Sequence, residues 1–218
     1  MKQGDAVQRL QAAFRGSLPG HDDLLRMSGY PRPDHGAVRR MRPAPRESAV
    51  LALIYPRQQE AHVLLMLRPE YDGVHSGQVG FPGGRREPDD ADLLHTAVRE
   101  FHEETGSVAA QLQHLGCLTP VYIPPSNSLV TPFVAAVDEL GALSPDPREV
   151  AALIEAPLAL LLHDDTLRMG ERHVHVMGRA IRVPYFDVKG HMVWGATALM
   201  IAELRALLSD RSPAGTGH

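Results

Sequence analysis

Between Gly73 and Asp92 the chain is built mostly from glycine, proline and charged residues; directly afterwards Leu94, Ala97, Val98 and Phe101 recur at helical spacing before Gly106. Such a segment predicts a long loop that delivers the chain into an amphipathic helix closed by Gly106. Along that helix Glu100, Glu103 and Glu104 stand at i, i+3 and i+4, so three carboxylates are expected to converge on one face, away from the apolar stripe. They occupy the last turn, where the negative end of the helix dipole disfavours each acid by about 0.3–1 kcal/mol. Like charge at i, i+4, here Glu100 with Glu104, adds a smaller penalty.

A divalent cation neutralises such a cluster, and hard carboxylate oxygens favour Mg²⁺ or Mn²⁺ over zinc. The competing reading is a solvated acidic face, with Arg99 pairing locally to Glu103. The loop Phe81-Pro82-Gly83-Gly84 weighs toward the metal, because paired glycines let backbone approach a ligand and leave a carbonyl free to face a cation.

The stretch from Gly84 through Asp90 to Arg99-Glu100-Phe101-x-Glu103-Glu104-x-Gly106 resembles the Nudix box, G-x5-E-x7-R-E-U-x-E-E-x-G-U with U aliphatic. Asp90 stands where the box has Glu, eight rather than seven residues precede Arg99, and Ser107 takes the final aliphatic position. Upstream, LLMLRPEYDGVHSGQVGFPGG is similar to the signature of the coenzyme A diphosphatases within that family. It matches at Leu64, Leu65, Arg68, His75, Gly77, Gln78, Val79 and Phe81 to Gly84, and departs at Met66, Pro69 and Asp72. Pro124-Pro125-Ser126, Pro132-Phe133-Val134 and Val193-Trp194-Gly195-Ala196-Thr197-Ala198 look like the same subfamily, so the likeness runs roughly from Ser48 to Leu208.

The resemblance implies a Nudix-like α/β/α sandwich around a mixed β-sheet, and Mg²⁺-dependent hydrolysis of a pyrophosphate bond with Mn²⁺ as a substitute. Coenzyme A or its derivatives would be split into adenosine 3',5'-bisphosphate and 4'-phosphopantetheine. By the same resemblance Glu100 and Glu104 are metal ligands, Glu103 shares the metal or serves as general base, the Gly83 carbonyl completes the coordination, and Arg99 fixes the carboxylates. Arg68, His75, Gln78 and Gly84 are then substrate contacts, and Glu149 is a second candidate for the base. Two alternatives stand beside this reading: a Nudix pyrophosphatase acting on ADP-ribose or dinucleotides, and a catalytically silent Nudix scaffold that only binds.

The rest of the chain supplies one sizeable core. Ser48–Pro56 (SAVLALIYP) and His62–Arg68 (HVLLMLR) read as a strand pair across a polar turn. Further strands are expected at Gln113–Tyr122, Leu129–Val137, His173–Met177 and Ile181–Asp187, and a closing helix at Ala196–Leu208. Interleaved strands and helices indicate an α/β layer sandwich. Residues 1–45, with helical spacing in Val7, Leu10, Ala13 and Phe14 followed by a Gly/Pro-rich arm, read as an N-terminal extension serving packing or homodimer formation. On the resemblance given above, residues 46–210 are expected to form the Nudix hydrolase domain, and 211–218 a disordered tail.

Residues 1–48 carry nine Lys/Arg against five Asp/Glu, but Arg39, Arg40, Arg42 and Arg46 are broken by prolines and lack interleaved aromatics, so no nucleic-acid partner is expected. The single Cys117 sits in an apolar stretch and asks for no oxidising compartment, and no leader or spanning segment is evident; the expected location is the cytoplasm, without a membrane partner. Twelve histidines show no structural-zinc spacing; His173 and His175 alternate as surface residues of a strand, and Trp194 is open to two readings, a stacking surface for a base or, beside Gly195 and an apolar helix, a core residue, of which core is the expected one.

Overall fold

A computed structural model describes residues 1–20, 33, 35–73, 75–174 and 178–209. The expected tail at 211–218 and the position of His175 lie outside the described residues. Strand β1 (Arg46–Arg57) is the spine of the molecule. It pairs antiparallel with β2 (Glu60–Leu67) on one side and parallel with β7 (Ser128–Ala136) on the other, Leu51 lying opposite Phe133. The short strands β3 (Val79–Gly80) and β4 (Gly83–Arg85) join β2 and β1; β5 (Gln113–Cys117) and β6 (Val121–Ile123) join β7; β8 (Ala152–Pro157) joins β2. One parallel pairing among antiparallel ones makes the eight-stranded sheet mixed, as expected.

The continuous apolar run of β1 follows from burial on both faces. With a side-chain period of two, Ala49, Leu51, Leu53 and Tyr55 point into one core, and Ala52 and Ile54 into the other. The first core is closed by α3 (Leu93–Thr105) through Ala97 and Phe101. The second is closed by α5 (Gly195–Leu208), with Leu199, Ile201 and Leu204 buried against the sheet, and by α1 (Gln3–Ala13). A second sheet, β9 (Leu167–Val174), β10 (Arg179–Val188) and β11 (His191–Trp194), is antiparallel and leads directly into α5. Short helices α2 (His35–Arg40) and α4 (Leu158–Leu162) complete the elements. Among the described residues no helix is long and apolar enough to cross a membrane.

The N-terminal segment expected as an extension contributes α1 to this same core: Ala6 and Leu10 are fully buried, and Phe14 packs where Gly116 leaves no side chain. Leu10→Ala should therefore cost about 2–5 kcal/mol, the usual range for emptying a core leucine site. Urea unfolding checks this; a change under 0.5 kcal/mol would make α1 an appendage.

Candidate functional site

Helix α3 is set by its ends. The Asp92 side chain accepts from the His95 amide at 2.8 Å as N-cap, and Gly106 closes it in the left-handed region at φ 65°. A side chain at 106 would strike the Ser144 backbone, so glycine is needed both for the turn and for the close approach. This fixes the phase of the helix, and with it the directions in which Glu100, Glu103 and Glu104 leave the backbone.

Glu104 is 5% exposed and faces the β4 loop. The Gly83 amide donates to Glu104 Oε2 at 2.7 Å, while Arg68 Nη2 donates to Glu104 Oε1 at 3.3 Å and to the Gly83 carbonyl at 3.2 Å. Burial pushes the Glu104 carboxyl up to about 7; Arg68 and the Gly83 amide oppose the rise, and Glu100 and Glu149 add to it. Glu100 lies against Gly84 so closely that a side chain there would overlap its carboxylate. Its carboxyl is also raised, first by burial, with Arg99 opposing.

Arg99 organises the remainder. Its Nε and Nη2 donate to the two oxygens of Asp90 at 3.0 Å each, Nη1 donates to Glu103 at 3.0 Å, and Nη2 lies 3.2 Å from Glu100. Asp90, 4% exposed, also accepts from the Glu87 amide and the Thr96 hydroxyl, each at 2.9 Å. The bonds from Arg99, then from Glu87, hold the Asp90 carboxyl far below its ordinary range. Asp90 thus positions Arg99, and Arg99 positions two of the three glutamates. Despite its short side chain, Asp90 reaches its partners because the chain folds back over it between Glu87 and Thr96.

The expected convergence of three carboxylates needs correction. Glu103 is drawn outward by Arg99 and its side chain is 55% exposed, while Glu104 is drawn inward by Arg68 and Gly83. Among the described residues no three Asp, Glu, His or Cys groups lie together as a ready cage for one ion. The Gly83 carbonyl, expected to be free for a cation, accepts from Arg68. What remains is a pair, Glu100 and Glu104, each raised by burial and by the other carboxylates around it, at a glycine loop. Two hard carboxylates held beside a glycine loop, each facing one arginine, would suit a small divalent cation.

Gly83 and Gly84, against which the two carboxylates lie, line a cleft of about 340 Å³. Arg68, His75, Gln78, Gly83 and Gly84 all line it, so the sequence-derived substrate contacts are brought together. His75 Nδ1 and Gln78 Oε1 are 3.2 Å apart, and burial lowers the His75 pKa, which favours the neutral ring. Arg85, Ser126, His173 and Trp194 also line the cleft, from loops and strands far apart in the chain, and of these only Trp194 carries a site reading from sequence, the less favoured of its two. Trp194, expected in the core, is half-buried in the cleft wall, and the buried residues are its neighbours Val193 and Gly195.

Comparison with known proteins adds three findings. The family model described as NUDIX domain matches residues 45–175. A human protein named mitochondrial coenzyme A diphosphatase NUDT8 is 37% identical over 169 residues, covering 76% of this chain and 70% of that protein. A Yersinia pestis protein named uncharacterized Nudix hydrolase NudL is 33% identical over 199 residues, covering 90% of this chain and 92% of its own length.

Proposed function

The chain belongs to the Nudix family, and on that premise we propose that it hydrolyses the pyrophosphate bond of coenzyme A or its derivatives, giving adenosine 3',5'-bisphosphate and 4'-phosphopantetheine. The observation that carries the reading is the placement of Glu100 and Glu104 directly against Gly84 and Gly83, two residues that line a cleft together with Arg68, His75 and Gln78. The similarity to a coenzyme A diphosphatase supports the substrate.

Nudix hydrolases use a divalent metal, which we assign as Mg²⁺ with Mn²⁺ as a substitute, held by Glu100 and Glu104. When bound, the cation supplies positive charge to the non-bridging phosphate oxygens and makes water more acidic. The protein's own groups do the rest. Arg68 gives positive charge to a phosphate while holding Glu104 in place. Gly84 lets the diphosphate approach the backbone, and His75 with Gln78 orients the leaving group. Glu103, the most exposed of the three glutamates, accepts a proton from the attacking water; the water oxygen bonds to one phosphorus as the bridging P–O bond breaks. Glu149, which adds to the charge around Glu104, is the second candidate for that proton.

The test is incubation of the purified protein with coenzyme A and Mg²⁺ at mildly alkaline pH, with products resolved by liquid chromatography and mass spectrometry. Appearance of the two named products supports the reading. If coenzyme A survives while ADP-ribose, NADH or diadenosine polyphosphates are cleaved, the substrate is wrong and the reaction right. Survival of all of them leaves a binding scaffold.

A further inference from the structure

Trp194 is the chain's single tryptophan, and it stands at the junction of β11 with α5. Its neighbours account for the packing there: Val193, Ala198 and Leu199 are fully buried, whereas Trp194 is only partly buried and lines the cleft. Phe81, the other large ring in the lining, is 3% exposed and committed to the core. Among the described residues no aromatic ring stacks on Trp194. A part-exposed tryptophan in a concave site, with no ring stacked on it among the described residues, is the form that proteins use to bind planar rings.

Its position is held relative to the glutamates by two connections. Trp194 pairs with Tyr185 of β10, which anchors it to the second sheet. One turn into α5, the Thr197 hydroxyl donates to the Val79 carbonyl at 3.0 Å, and Val79 opens the short segment that runs through Phe81 to Gly83 and Gly84. The start of α5, which follows Trp194, and the strand that leads into the glycine loop are therefore joined by a direct hydrogen bond between Thr197 and Val79.

We propose that Trp194 is the stacking platform for the heterocyclic base of a nucleoside-diphosphate-linked substrate, and so a specificity-determining residue for the half of the substrate that carries the base. This rests on the assignment of the cleft as a diphosphate hydrolase site. Stacking on a rigid ring acts on ground state and transition state alike, so its loss raises KM and leaves kcat nearly unchanged. By the usual worth of a base–aromatic stack, Trp194→Ala should raise KM for coenzyme A by roughly 10-fold, and Trp194→Phe by much less.

Because Trp194 is the chain's single tryptophan, intrinsic fluorescence of the wild type reads the platform directly, independently of turnover. The probes are ADP, adenosine 3',5'-bisphosphate and 4'-phosphopantetheine, each titrated into the full chain with Mg²⁺. Saturable quenching by the two adenosine compounds and none by 4'-phosphopantetheine supports the proposal. Quenching by 4'-phosphopantetheine alone, no quenching by any of the three, or a Trp194→Ala variant that loses kcat at constant KM overturns it. Absence of turnover on every diphosphate tested would overturn the hydrolase reading instead, and ADP quenching would still decide whether Trp194 stacks a base.

Discussion

Glu104→Gln yields a folded protein whose kcat falls by roughly 10³-fold or more, because deleting a full charge from the cation-binding pair exceeds the 10²–10³ typical of losing one neutral donor at a reacting centre. The substitution keeps the shape of the side chain, and the amide oxygen can still accept from the Gly83 amide, which lies 2.7 Å from the native carboxylate. Folding is therefore preserved while the charge is lost. Steady-state kinetics with coenzyme A check this. A fall of less than 10-fold would remove Glu104 from the chemistry and leave it as the counter-charge of Arg68.

The same variant separates a site built for a cation from a merely structural carboxylate. In metal-free protein burial raises Glu104 to about 7, above its value in the unfolded chain near ~4.3. A group raised on folding gives its full stability below the unfolded value and loses it as pH climbs through the folded one. Metal-free wild type should thus lose on the order of 1–3 kcal/mol relative to Glu104→Gln between pH 5 and 8, roughly. Adding Mg²⁺ at pH 8 should restore the Tm of the wild type alone. Thermal unfolding in chelator and in Mg²⁺ reads both effects, and equal curves for the two proteins would show that the carboxylate carries no such burden.

What the sequence made legible was local. The apolar stripe of α3, its Gly106 stop and the two long runs of β1 and β2 repeat within a few residues, so periodicity suffices to place them. The strand at Ala152–Pro157 escaped notice because it is short and ends in proline; it exists because β2 offers it an edge, Leu65 lying opposite Ile154. Strands β3 and β4 were hidden inside a Gly/Pro loop for the same reason. Spacing at i, i+3 and i+4 placed the three glutamates on one helix face, but their side chains were sorted by arginines: Arg99 from the same helix and Arg68 from the end of β2, thirty-six residues before Glu104. The cleft wall at Trp194 is an encounter between chain segments more than a hundred residues apart, which no linear spacing encodes.

Gly83 and Gly84 are adjacent in sequence, yet their alanine variants should fail in different ways. Gly83 sits at φ 152°, a conformation L side chains rarely adopt, and a Cβ there would lie 2.5 Å from Val50 Cα in the neighbouring strand. Backbone cannot yield cheaply, so strain and overpacking together should cost Gly83→Ala about 3–5 kcal/mol. At Gly84 the obstacle is a movable group, since the added Cβ would lie 2.5 Å from Glu100 Oε2. The carboxylate swings aside, the fold survives, and the cation-binding pair is broken. With misplacement of about 1 Å able to cost 10²-fold, Gly84→Ala should keep a near-native urea midpoint and lose kcat by roughly that factor. Paired measurement of unfolding and kcat decides between them. If Gly84→Ala stays fully active, Glu100 reaches the reaction from another rotamer; if Gly83→Ala folds like wild type, the loop is looser than its pairing with β1 implies.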